Sequence, residues 1–233
     1  MLDILIPVLG RPQNAQPLVD SIEHATTVPH TITFLCSPGD HAQIEACDET
    51  SARVLTMTVP RRPGDFARKI NTGFLYGQNE WVFMGADDLR FEPNWDTIAL
   101  AAAGDRYHVV GTNDLANASV KRGLFGTHCL IRRRYITEQG GSADNEPALA
   151  LHEGYDHNFV DRELCHLAQH RQCFVFARHS RVKHRHPLWR TAPSDPTYVT
   201  ALAKFRDDQR LFLSRSHLWG YEGLSAHERR MAA

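Results

Sequence analysis

No stretch of this sequence stays apolar for anything near the roughly 20 residues that cross a bilayer, so no membrane span is expected within it. Cysteine is scarce and scattered, at 36, 47, 129, 165 and 173, odd in number and without a C-x-x-C. That argues against a disulfide framework or a zinc ribbon, and a reducing compartment is expected. Neither sign of charge dominates: 26 Lys and Arg stand against 27 Asp and Glu, a formal net charge of -1. The balance excludes a dedicated nucleic-acid coat, although local basic clusters remain. There is no G-x-G-x-x-G after the first apolar run, no G-x-x-x-x-G-K-[ST] and no H-E-x-x-H. A dinucleotide oxidoreductase, a P-loop ATPase and a zinc hydrolase thereby lose their main support. The opening Met1-Leu-Asp-Ile-Leu-Ile-Pro7 carries an acid early and stops at proline, unlike a secretory leader. A cytoplasmic protein is expected.

Histidine, by contrast, is plentiful, and it crowds the second half at 152, 157, 166, 170, 179, 184 and 186. Hydrophobic content of 42% and charged content of 23% are those of a soluble globular chain. Its 233 residues suit one substantial α/β domain, alone or with an appendage.

Strand and helix signals alternate from the start. Leu2 to Leu9 reads as a buried strand broken by Gly10-Arg11-Pro12, and Asn14 to His24 as a short amphipathic helix. Thr31 to Cys36 is a second strand, ending in the turn Ser37-Pro-Gly-Asp40. A helix over His41 to Thr50 and a strand over Arg53 to Val59 follow. This order predicts a parallel sheet with right-handed crossovers. In Gly64 to Tyr76, Phe66, Ile70, Gly73 and Phe74 fall at helical spacing, which leaves Lys69 and Asn71 off the core face. On spacing alone these two belong to a solvated face, although a Lys there can meet a phosphate and an Asn a base or ribose.

The rest of the chain is organised around Glu80-Trp-Val-Phe-Met-Gly-Ala-Asp-Asp-Leu-Arg-Phe91. Trp81 to Met84 reads as a central strand, and Asp87 and Asp88 follow it, where ligands of open α/β sheets bind. Adjacent residues of an extended chain point to opposite sides, so the two acids have different partners. One can hold a hard divalent cation beside substrate phosphates, and the other can accept from a sugar hydroxyl. Taken alone, the pair also reads as a strand end with Asp capping the helix that opens at Pro93.

Further on, the pattern predicts a helix over Pro93 to Ala103, a strand over Tyr107 to Gly111 with the polar Thr112-Asn113-Asp114 behind it, and a strand over His128 to Ile131. Arg132-Arg-Arg134 reads as mostly solvated, because no aromatic residues accompany it. Gly140 to Pro147 is a loop. Within Tyr155 to His170, Val160, Leu164, Leu167 and Ala168 form the apolar stripe of a helix, with His157, Asp161 and Cys165 beside it. Asp161 either projects into a cleft or pairs, like Glu163, with a nearby base; the residues leave both open. Cys173 to Ala177 is a strand, and the basic Arg178 to Pro187 places His184 and His186 on one side if extended. Those imidazoles can bind a metal, and Arg181, Lys183 and Arg185 a diphosphate. Pro193 to Pro196 reads as a linker, and Thr197 to Leu218 as one helix with Tyr198, Leu202, Phe205, Phe212 and Leu213 on one side, packing on the domain or on a partner.

Four segments in this order resemble a known family. They are Asp3-Ile-Leu-Ile-Pro-Val-Leu-Gly-Arg-Pro12, Arg68-Lys-Ile-Asn-Thr-Gly73, Gly85-Ala-Asp-Asp-Leu-Arg-Phe91, and His152 to Leu164 together with His184-Arg-His-Pro187. The chain resembles the GT-A glycosyltransferases of the inverting family 2 type, more closely the small ones of actinobacterial phages and their hosts. The resemblance covers roughly residues 2 to 190. It implies a single Rossmann-like GT-A domain over 1–190, mostly parallel in its central sheet and flanked by helices. A nucleotide-binding half, 1–111, and an acceptor-side half, 112–190, would precede a C-terminal helical extension over 191–233.

It also implies nucleotide contacts from Pro7, Val8, Leu9, Arg11, Ser37, Lys69, Asn71 and Asp87, the last toward the ribose. Asp88 with His186 or His184 would hold Mn²⁺ or Mg²⁺, and Asp161 would be the general base. Gly85 departs from the family by standing where many members carry the first acid of D-x-D. The implied substrates are a nucleotide-sugar donor, UDP-linked by family frequency, and an acceptor protein or glycan. Nucleic acid is not an expected partner, and a homodimer through the C-terminal helix is open. The competing reading is a metal-dependent phosphoester hydrolase or nucleotidyltransferase using the same Asp and His cluster. A third is a basic binding module centred on 178–190.

Overall fold

The computed structural model describes residues 1–144 and 148–220. Residues 145–147 of the expected loop and 221–233 of the expected extension lie outside them. The first half alternates as its pattern requires: β1 (Leu2–Pro7), α1 (Ala15–Ala25), β2 (His30–Cys36), α2 (His41–Asp48), β3 (Arg53–Thr56), α3 (Asp65–Tyr76) and β4 (Trp81–Met84). These strands pair in parallel in the order β3-β2-β1-β4. Both faces of β1 are covered, which is why it reads as a continuous apolar run rather than an alternating one. Ile4 and Ile6 pack with Leu18, Val19 and Ile22 of α1, while Leu5 faces Ile70 and Phe74 of α3.

After β4 the chain runs through β5 (Leu89–Phe91), α4 (Trp95–Ala103), β6 (Val109–Asn113), α5 (Ala118–Lys121), β7 (Cys129–Arg132), α6 (Arg133–Gln139), α7 (Val160–His170) and β8 (Phe174–His184). The sheet order is β3-β2-β1-β4-β7-β6-β8-β5. β7 is antiparallel to β4 and β6, β8 is parallel to β6, and β5 is antiparallel to β8, so the far half is mixed. β5 intervenes between the acidic pair and α4, whose N-cap is Asn94 with no side-chain cap bond. Neither Asp87 nor Asp88 caps a helix. β8 extends seven residues past the expected end at Ala177, pulled out by its ladder with β5.

The three consecutive arginines are not solvated as a group. Arg132 is buried, donates to Gly104 O (2.8 Å) and lies over the Trp81 ring. Arg133 donates to Phe74 O and Asn79 O and pairs with Asp3 (2.8 Å), while Arg134 alone is exposed. A guanidinium carries five donors, and Arg133 so ties two backbone carbonyls and a carboxylate at once.

Beyond residue 190 the expected single helix is two, α8 (Pro196–Ala203) and α9 (Phe205–Arg215), broken at Lys204. Both fold back: Tyr198, Asp208, Phe212 and Trp219 are buried. The expected linker is tied down. Asp195 accepts from Tyr198 N (3.0 Å) as the α8 N-cap, with Pro196 in the first turn. Among the described residues no helix is long and apolar enough to cross a membrane, and all five cysteines are free and buried.

Candidate active site

The C-terminal ends of β1 and β4, the end of β8, and the N-terminal turns of α3 and α7 converge on one cavity of about 270 Å³. This is the crevice that parallel strands create where their carboxyl ends face the following helices. Of the residues singled out from sequence, Pro7, Val8, Leu9, Arg11, Lys69, Asp87, Asp88, Asp161, His184 and His186 all line it. Ser37 and Asn71 do not. Ser37 is buried 3.4 Å from Asp65, and Asn71 bonds both backbone groups of Leu151 and the side chain of Glu153. Both hold neighbouring segments together. Arg181, Lys183 and Arg185 are exposed outside the cavity, because alternation along β8 turns them away from the side His184 takes.

The acidic pair is anchored from three elements. Arg11 donates to Asp87 Oδ1 (2.8 Å) and stands 3.7 Å from Asp88 Oδ2. Its Nε pairs with Asp195 (2.8 Å), and its guanidinium stacks over the Tyr198 ring at 3.9 Å. Asp88 Oδ2 accepts from the Tyr198 hydroxyl (2.6 Å) and lies 3.3 Å from His184 Nε2. Burial opposes charge on Asp88, yet His184 and Tyr198 hold its carboxyl below the usual range. Burial and the adjacent Asp88 push Asp87 upward, against the pull of Arg11. Burial likewise disfavours the His184 cation, but Asp88 outweighs it and raises the imidazole.

Gly85 has a packing reason to lack the first acid. A Cβ there would meet Ile6 Cδ1 at 2.5 Å and Leu5 O at 3.2 Å, so any side chain has to push aside the fully buried Ile6 side chain and crowd the β1 backbone.

Lys69 is fully buried, donating to Val8 O (2.7 Å) and pairing with Asp65 (3.1 Å). The solvated helix face expected from spacing is therefore wrong here. The loop after β1 folds over α3 and supplies the carbonyl that takes the ammonium. Asp161 sits in the first turn of α7, partly open to the cavity, and burial pushes its carboxyl up to about 6. Glu163 is no surface acid either: it is buried and bonded bidentately by Arg215 (2.7 and 2.8 Å) and by the Tyr155 hydroxyl (2.7 Å).

Several lining residues escaped the sequence reading. His128 is buried against His184, ring centroids 5.0 Å apart, and burial pushes its imidazole down to about 3, leaving it neutral. Tyr198, Asp65, Asn117 and Phe205 also line the cavity. Only the Asp195-Pro196 start of α8 left a local signal, a helix N-terminus that gives no hint of its target.

The donor set suits a hard cation shared with phosphate oxygens. Asp87 Oδ2 and Asp88 Oδ1 are buried without partners, and so is His184 Nδ1. Among the described residues no three His, Cys, Asp or Glu side chains form a ready-made metal cage. A cation would thus need oxygens from a ligand to complete its shell.

No protein-family model and no curated protein matches the sequence. Solved structures do match the fold. Glucosyl-3-phosphoglycerate synthase from Mycobacterium tuberculosis, in complex with Mn²⁺, UDP-glucose and phosphoglyceric acid, is 13% identical with a TM-score of 0.60, over 96% of this chain and 81% of that one. The same enzyme with Mn²⁺, UDP and glucosyl-3-phosphoglycerate gives 14% and 0.62, over 92% and 79%. S. aureus TarS gives 12% and 0.61, over 100% of this chain and 42% of that one. At these identities the likeness is one of fold, and the chain has the GT-A fold.

Proposed function

We propose that the protein is a metal-dependent, inverting glycosyltransferase that moves a sugar from a nucleoside-diphosphate sugar to an acceptor hydroxyl. The observation that carries this reading is the meeting, in one cavity, of the partnerless oxygens of Asp87 and Asp88, the imidazole of His184 and the raised carboxyl of Asp161. A UDP-sugar is the favoured donor, because structures of the same fold were obtained with Mn²⁺ and UDP-glucose.

Asp88 with His184 or His186 would hold Mn²⁺ or Mg²⁺, which when bound supplies positive charge against the leaving diphosphate. Asp87, tied to Arg11, is the candidate ribose contact, and Pro7, Val8 and Leu9 the candidate wall for the base. Arg11 adds a fixed cation beside the diphosphate position. Asp161, with its carboxyl near 6, is poised to take the proton of the acceptor hydroxyl as that oxygen attacks the anomeric carbon. Attack from the face opposite the leaving group inverts the configuration. The acceptor reading is a protein Ser/Thr or a glycan; phosphoglycerate is the acceptor class of the mycobacterial neighbour.

The test is calorimetric and thermal-shift titration with UDP, GDP and dTDP, with and without Mn²⁺. Metal-dependent stabilisation by one diphosphate supports the reading. Failure of all three to bind under any metal condition removes it. Release of phosphate from a nucleotide without sugar transfer would move the phosphoester reading ahead.

A further inference from the structure

Helix α9 lies in the part of the chain to which the sequence assigned no role, yet it grips the segment that presents Asp161. Asp208 is 3% exposed and accepts from three consecutive backbone N–H groups, Asp156 (2.7 Å), His157 (3.1 Å) and Asn158 (2.7 Å), and from Asn158 Nδ2 (3.0 Å). The next residue, Phe159, is the N-cap of α7 and has a left-handed backbone, φ 67°. That conformation is strained for a residue with a bulky side chain and persists only where its surroundings over-determine it. The surroundings here come from the same helix: Phe205 and Phe212 pack on Phe159 with ring centroids 5.0 and 5.4 Å away. At its far end α9 holds α7 again, through the Arg215 pair with Glu163. Asp161 lies in the turn between these grips, and Asp156 to Arg162 all line the cavity.

We propose that Asp208 is the positioning residue for Asp161: its carboxylate fixes the 156–158 loop and the strained Phe159 cap, and so sets where the first turn of α7 points its acid. A charged acceptor suits this task, since one carboxylate can satisfy several N–H groups that no neutral side chain could serve together. The proposal rests on the reading of Asp161 as the base, and gives Asp208, which does not line the cavity, a part in the chemistry.

The experiment compares wild type with Asp208→Asn, an isosteric change that sets an amide N–H₂ against the loop's donors. Hydrogen exchange should quicken about tenfold or more at residues 156–163 and stay unchanged in β1 and β4. The Asp161 carboxyl, followed by NMR, should titrate closer to the ordinary range as water enters around the loosened turn. A loop that merely packs would not move that titration. Unchanged exchange at 156–163, or an unmoved Asp161 titration in a loosened loop, overturns the proposal. Should Asp208→Asn fail to fold, denaturant-dependent exchange on wild type decides. The loop amides must open together with α9, and independent opening overturns the proposal. UDP with Mn²⁺ should bind both proteins equally. Absence of UDP binding to wild type would count against the glycosyltransferase reading, while the exchange and titration still decide the role of Asp208.

Discussion

The Tyr198 hydroxyl donates to Asp88 Oδ2 at 2.6 Å and contacts Arg185 O at 3.1 Å, while the face of its ring carries the Arg11 guanidinium. A tail residue thus satisfies one oxygen of the carboxylate that the proposed cation needs. Tyr198→Phe should lower the melting temperature of the free protein, consistent with loss of about 1 kcal/mol of hydrogen bonding. It should also tighten Mn²⁺–UDP binding several-fold, because the competing donor is gone. Calorimetry on both proteins checks this, and weaker binding in the variant would make Tyr198 a support of the site instead.

The two acids should separate in their metal dependence. Asp88→Asn, or chelation by EDTA, should abolish the stabilisation by UDP that depends on Mn²⁺, with a loss of affinity of about 100-fold or more. Asp87→Asn should weaken UDP binding while leaving its metal requirement in place. Thermal shifts across a Mn²⁺ series distinguish the two.

Asp161 supplies a pH signature. Its folded-state value near 6 lies above that of an unfolded Asp, so the folded state binds the proton more tightly. Its contribution to stability is therefore full below about pH 4 and is lost as pH rises through about 6. Asp161→Asn should remove that loss, on the order of 1 kcal/mol above pH 6, since the side chain is partly open to the cavity. Turnover of the wild type should rise with pH through the same window, and the variant should lose most of it. Denaturant melts at pH 4 and 7.5 and a pH–rate profile are the measurements.

Gly85→Asp would put an acid where many of the resembled glycosyltransferases carry the first acid of D-x-D, and it should not improve binding. The new Cβ overlaps Ile6, a fully buried residue of β1, so a cost of about 1–3 kcal/mol is expected. A variant with wild-type stability and tighter Mn²⁺ binding would show that β1 yields easily.

Much of this protein was determined locally. The alternation of apolar strands with amphipathic helices specified the parallel half of the sheet, because periods of 2 and 3.6 are properties of neighbouring residues. It also put Asp87 and Asp88 just past a strand end, in the cavity that His184 and His186 reach because β8 runs on past Ala177. What spacing left open was decided by contacts between residues far apart in the chain. Lys69 reads as solvated until the loop after β1 brings Val8 O to its ammonium. Arg132 and Arg133 read as surface charge until Gly104, Phe74, Asn79 and Asp3 surround them. Tyr198, Asp208 and Arg215 had no readable role, since their partners Asp88, Asp156 to Asn158 and Glu163 lie 50 or more residues earlier. Periodicity reports which face of an element is buried, and only the folded chain decides which charged groups that burial brings together.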